Sequence, residues 1–158
     1  MSRLKEKIKL PFKVIYNFLF CLKYPFYKAR NVWTDKSCGY TFTLYDEIPE
    51  GWRKAFGKQL SKDLKKALVN AKQLKTFRFT QIKEKYGSLR LYCSGASDEV
   101  WNVINHYESI STKYCIKCGK PAEYETKGYI SYLCEECFDK IEPYYNQDYK
   151  PSCKINKE

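Results

Sequence analysis

Four cysteines in two C-x-x-C pairs, Cys115/Cys118 and Cys134/Cys137, constrain the C-terminal third of this chain more tightly than any other feature. Two residues between paired cysteines let one tight turn aim both sulfurs at a single ion. The fifteen residues between the pairs leave room for a short hairpin. That spacing is typical of a tetrahedral zinc site, and soft thiolates suit the ion. Gly119, directly after Cys118, permits the backbone such a turn requires. Gly128 marks a bend in "EYETKGYISYL", and "EECFDKI" can begin a short helix, so a zinc ribbon and a treble-clef-like module both fit. Four thiolates fill the coordination sphere and leave no position for a catalytic water. The expectation is one structural Zn2+ held by Cys115, Cys118, Cys134 and Cys137.

The remaining cysteines, Cys21, Cys38, Cys93 and Cys153, follow no metal spacing. In a lysine-rich chain without a recognisable cleavage site they read as reduced thiols in a reducing cytosol, so a cytoplasmic location is expected. Aromatic residues make up 17% of the chain, too many large rings for a disordered one. The net charge of +11 is unevenly spread: residues 1–95 hold the positive excess, and residues 96–158 carry eight basic side chains against eleven acidic. A polyanion would be drawn to the end of the molecule away from the metal module.

Residues 1–35 form a basic, amphipathic N-terminal segment. Its apolar run "VIYNFLFCL" is far shorter than the roughly 20 residues a spanning helix needs, so no membrane span is expected. Two readings of the segment stay open. It either docks on the domain, with Leu4, Ile8, Ile15, Phe18, Leu19 and Leu22 inward, or makes peripheral contact with anionic lipid. Residues 36–112 read as an α+β core, a small antiparallel sheet with two amphipathic helices. The alternation in "GYTFTLY" (39–45) predicts a strand. Trp52, Phe56, Leu60, Leu64 and Leu68 recur every fourth residue and predict a helix over 51–71. "TFRFTQIKEKYGSLRLYCSG" predicts two strands around a turn at Gly87-Ser88. Ser97-Asp98-Glu99 then starts a second helix that buries Val100, Val103, Ile104, Tyr107 and Ile110. The zinc module occupies 113–141, and 142–158 reads as a polar tail.

No catalytic constellation stands out. His106 is the only histidine and has no ligand-spaced partner. Glu84 and Lys85 are adjacent and so point to opposite strand faces, unlike the E-x-K arrangement of a metal-dependent nuclease. Lys83, Glu84, Lys85 and Arg90 could still surround a small anion or a partner, which is the one route to a small enzyme. Otherwise they form an exposed hairpin with cross-strand ion pairs.

"IKEKYGSLRLY" (82–92) followed by "CIKCGKP" (115–121) resembles a group of small proteins from phage and bacterial genomes. Their pattern runs I/V-K-E-K-F/Y-G-x-L-R-x-Y and then C-x-x-C-G-x-P, and "IPEGWRKAFG" (48–57) also looks like phage-encoded relatives. The resemblance covers residues 46–137 and implies an intracellular role during infection, without an activity attached to it. On the predicted helix, Lys54, Lys58, Lys62 and Lys66 form a second ridge about 200° around from the apolar one. Only Lys54 has an acidic residue four positions before it, Glu50. The expected function is non-catalytic: a zinc-stabilised protein whose lysine ridge meets nucleic acid through phosphates. The alternative is a module that binds a host protein, such as a defence factor.

Overall fold

The computed structural model describes residues 2–31, 33–141 and 153–154, with side chains described between residues 11 and 141. Its spine is a helical run that opens as α2 (Glu50–Trp52), passes through a π-helical segment, Arg53–Gly57, and continues as α3 (Lys58–Asn70). Trp52, Phe56, Leu60, Leu64 and Leu68 are all buried, as their spacing predicts, and their ridge forms the centre of the core. Strands β1 (Phe79–Lys85) and β2 (Ser88–Cys93) pair antiparallel, placing Ile82 opposite Leu91 and Glu84 opposite Leu89. The hairpin turns at Tyr86-Gly87, one residue earlier than expected. Both residues have positive φ, 51° and 75°, as a tight two-residue hairpin turn requires.

Helix α4 (Asp98–Ser111) starts at Ser97, whose Oγ accepts from the Val100 N–H at 3.5 Å. It buries Val100, Ile104 and Tyr107, while Val103 and Ile110 pack at the margin. It also closes the outer edge of β2. The Leu89 N–H donates to Ser111 Oγ (3.0 Å) and the Leu91 N–H to Glu108 Oε1 (2.7 Å). A two-stranded sheet would otherwise leave these donors unpaired in a buried place.

Two N-terminal expectations are corrected. Residues 39–45 form no strand. The Thr43 N–H donates to Asp46 Oδ2 (2.8 Å), and the chain enters a 3₁₀ turn at Leu44–Glu47. Thr43 is thereby buried and Phe42 left 40% exposed, so the alternation in the sequence is not used. Helix α1 (Ser2–Lys23) does dock, but by another face. Asn17, Phe20, Cys21 and Tyr24 turn inward, with the Asn17 amide donating to the Tyr40 carbonyl (2.8 Å) and Phe20 against Tyr24, Tyr27 and Tyr45. Ile15, Phe18, Leu19 and Leu22 are exposed, and the side chains of Leu4 and Ile8 lie outside the described ones. Aromatic packing with Tyr27 and Tyr45 selected the docked face, and total hydrophobicity did not. No helix among the described residues is long and apolar enough to cross a membrane.

The C-terminal unit runs from a cysteine turn to the pair β3 (Tyr124–Glu125) and β4 (Tyr132–Leu133), and then to α5 (Glu135–Asp139). A fifth strand, β5 (Cys153–Lys154), pairs with β3, giving the order β4-β3-β5. Part of the expected polar tail is therefore paired, and 142–152 and 155–158 lie outside the described residues.

Candidate metal centre

The sulfurs of Cys115, Cys118, Cys134 and Cys137 lie within 4.8 Å of one another, and Cys118 and Cys134 are 3.5 Å apart. Tetrahedral bonds of about 2.3 Å from metal to sulfur give sulfur–sulfur edges of about 3.8 Å, so the four donors already stand at ligand spacing. Cys115 and Cys134 are buried, and Cys118 and Cys137 half-buried. The first pair sits on a turn closed by the Gly119 N–H donating to the Cys115 carbonyl (2.9 Å). In the second pair Cys134 caps α5, whose first turn holds Cys137; the Cys137 and Phe138 N–H groups both donate to the Cys134 carbonyl. Tyr124 stacks on Phe138 with ring centroids 4.6 Å apart, fixing the hairpin to the helix.

Cys115, Cys134 and Cys137 differ in acidity. Burial pushes Cys115 up, but the backbone N–H groups of Cys134, Cys118 and Lys117 outweigh it and bring the thiol down to about 7. Burial pushes Cys134 and Cys137 up, and the neighbouring thiols push Cys137 further. A thiolate is favoured at Cys115 and disfavoured at Cys134 and Cys137, unless a cation shares the space. That is the electrostatic condition of a thiolate metal site. The donor set and its spacing can therefore hold a metal ion.

The cysteine turn is seated directly on the spine of the fold. The Gly51 N–H donates to the Ile116 carbonyl (3.0 Å), and the Trp52 indole N–H donates to the Tyr114 carbonyl (3.2 Å). A Cβ on Gly51 would fall 2.2 Å from the Cys115 carbonyl oxygen, and one on Gly119 2.5 Å from the Gly51 carbonyl oxygen. The hairpin turn is held in the same way. A Cβ on Gly87 would meet Ile130 at 2.8 Å and Tyr132 at 2.9 Å, and the Tyr129 hydroxyl donates to Glu84 Oε2 (2.6 Å). The segments "IPEGW", "KEKYGSLR" and "CIKCG" thus meet around the metal unit. Sequence reasoning missed this role for Gly51. Its signal was a glycine in the first turn of a helix, where a stronger helix former costs less.

The other candidate residues are distributed as follows. Glu84 Oε1 accepts from the Gly87 N–H (2.6 Å), and Arg90 pairs with Glu108 (3.3 Å), so these two side chains have separate partners. Lys83 lies over Tyr92 and Lys85 over Tyr86. His106 is exposed on α4, edge-on to Tyr107. Lys54 is committed to Glu50 (2.6 Å), whereas Lys58, Lys62 and Lys66 are exposed and have no ion-pair partner among the described residues. Lys62 and Lys66 join Lys23 and Lys65 around an open concavity of about 450 Å³. Comparison with protein families, with curated proteins and with solved structures gives no match.

Proposed function

We propose that this chain is a zinc-stabilised, non-catalytic binding protein that takes nucleic acid on the exposed lysine face of α3. The observation that carries the reading is the row Lys58, Lys62 and Lys66, exposed and without a carboxylate to neutralise it among the described residues. A helix face kept only for solubility mixes its signs, because like charges four residues apart repel. A row of one sign at about 6 Å intervals along a helix suits a ladder of phosphates. Four soft thiolates at tetrahedral spacing support Zn2+ as the ion, and the order of knuckle, hairpin and short helix supports a treble-clef-like module. The ion keeps Cys115 and its neighbours seated on Gly51, and so steadies the end of the helical run that carries the lysines. A role inside an infected bacterial cell belongs to the same proposal, on the resemblance of "IKEKYGSLRLY" and "CIKCGKP" to small proteins from phage and bacterial genomes.

Fluorescence anisotropy with labelled duplex DNA and with RNA tests the reading. The parent chain binds at low salt, and Lys58→Gln/Lys62→Gln/Lys66→Gln binds neither at the same concentration. Failure of the parent chain to bind either polymer rejects it. Capture of one host protein that survives nuclease treatment would put the protein-binding alternative in its place.

A further inference from the structure

Thirteen large apolar side chains are exposed among the described residues, and eight of them fall between Phe12 and Phe42. On α1 the exposed set is Phe12, Ile15, Tyr16, Phe18, Leu19 and Leu22, opposite the docked Phe20 and Tyr24. Helical spacing makes this a broad apolar stripe that stays exposed among the described residues, with Phe18 at its margin edge-on to Tyr40. From Lys7 to Thr34 the chain carries six basic residues and no acidic one. The stripe borders the basic face of α3 as well, since Tyr16, Leu19 and Lys23 share a concavity of about 440 Å³ with Lys58.

A second exposed group stands beside α1. Trp33 is 93% exposed at the tip of a built turn, in which Asn31 Oδ1 accepts from the Trp33 and Thr34 N–H groups (2.9 and 3.0 Å). Tyr40, a few residues on, ties this loop to the helix through the Asn17 bond and an edge contact with Phe18 (5.2 Å).

We propose that α1 lies along the surface of an anionic lipid bilayer, its Phe12–Leu22 face among the acyl chains, its lysines at the phosphates, and Trp33 as a second anchor. Three observations select a bilayer over other occupants. The stretch that holds the stripe, Lys7 to Thr34, carries basic side chains and no acidic one, and Asp35 beyond Trp33 is paired with Arg30 (3.2 Å), which matches the sign of anionic headgroups. A second copy of the chain would bring two such faces together with no carboxylate between Lys7 and Thr34 to meet their lysines. A tryptophan displayed at a loop tip is the residue type of a membrane–water interface. The inference does not depend on the nucleic-acid reading, because it rests on apolar residues that a phosphate ladder would not use.

The test is co-sedimentation of the full chain with phosphatidylcholine vesicles, with and without phosphatidylglycerol. Expected is binding to the mixed vesicles at low salt and none to phosphatidylcholine alone. Ile15→Asp/Leu19→Asp should lower partitioning on the order of a hundredfold, since it removes two inserted side chains and adds charge of the wrong sign. Should this pair alter the circular dichroism, Ile15→Gln/Leu19→Gln replaces it with the same expected direction. Because Leu19 shares a concavity with Lys58, the control for nucleic-acid anisotropy is the neutral pair Ile15→Gln/Leu19→Gln, which adds no carboxylate beside that lysine and should leave the anisotropy unchanged, so the two readings fail separately. The proposal is overturned if the parent chain stays in the supernatant with anionic vesicles, or if the substituted chain sediments like the parent. A dimer seen by light scattering and broken by the same substitutions would show that a second copy covers the face.

Discussion

At Gly51 an added methyl would fall 2.2 Å from the Cys115 carbonyl oxygen, whereas at Gly95 it would meet nothing within 4 Å. The two sites separate contact from conformation, because Gly95 has a φ of +68° and Gly51 is helical. Gly95→Ala should cost only the left-handed penalty, about 1 kcal/mol. Gly51→Ala must part the cysteine turn from the helix and should cost about 2–3 kcal/mol, roughly 5–10 °C in thermal melting. Equal losses at both sites would mean that the metal unit is not seated as described. The cysteines offer a second prediction. Elemental analysis should find one zinc per chain, lost in Cys115→Ser along with the fold of the C-terminal unit, since thiolate binding is coupled to folding. Alkylation followed by peptide mapping reads the other thiols. Burial, aided by Glu108, pushes Cys93 up to about 11, and burial also raises Cys21, while Cys38 is exposed. Only thiolate reacts, so at about pH 8 Cys93 should modify about a hundredfold more slowly than free cysteine in the same solution, and the four clustered cysteines only after chelation.

The elements that sequence reasoning placed well are those whose periodicity is also their burial. Trp52 to Leu68 on α2 and α3, Leu89 and Leu91 on β2, and Val100 to Tyr107 on α4 all face one core, so pattern and packing agree. The cluster of Cys115, Cys118, Cys134 and Cys137 was legible for a related reason, because paired C-x-x-C spacing suits a metal ion whatever the fold around it. Residues 39–45 misled because an alternation of rings and threonines does not say whether a neighbouring strand exists. The Thr43–Asp46 bonds turned the chain first. The docked face of α1 misled because Ile15, Leu19 and Leu22 are as apolar as Phe20 and Tyr24, and only the partner rings Tyr27 and Tyr45 distinguish them. The closure of β2 by α4 was invisible for a third reason: it depends on where two helical side chains land on a sheet edge. It can be tested at this scale. Glu108→Ala orphans the Leu91 N–H and leaves Arg90 without its carboxylate, and should cost about 1–3 kcal/mol in urea denaturation. Ser111→Ala leaves the Leu89 N–H without its acceptor in a fully buried place, with a loss of similar size. Changes below about 0.5 kcal/mol would show that water reaches this edge and satisfies the donors.

Across the whole molecule the charges separate, with the positive excess in residues 1–95 and the acidic balance beyond them. Four thiolates and one dication would deepen that separation, adding net negative charge at the metal end. The positive excess of residues 1–95, the α3 lysines among it, would attract a nucleic acid before contact. The salt dependence of binding measures how many phosphates are neutralised. Lys54 is held by Glu50, which leaves Lys58, Lys62 and Lys66 as the free members of the ridge. Three phosphate contacts on a duplex contribute about −2.7 to the slope of log K against log salt concentration. Replacing the three by Gln should flatten the slope by that amount and weaken unrelated sequences alike, since no base edge is read. The helix should survive, because glutamine is a good helix former and the buried ridge is untouched. Lys117→Gln/Lys120→Gln is the matched control at the acidic end, where Lys120 is already bound to Glu136 (2.7 Å), and it should leave the slope unchanged. A slope indifferent to the α3 substitutions, with circular dichroism intact, would move the polyanion site off this helix. A slope that responds equally to both sets would mean that net charge alone is being measured, and the ridge would lose its standing as a site.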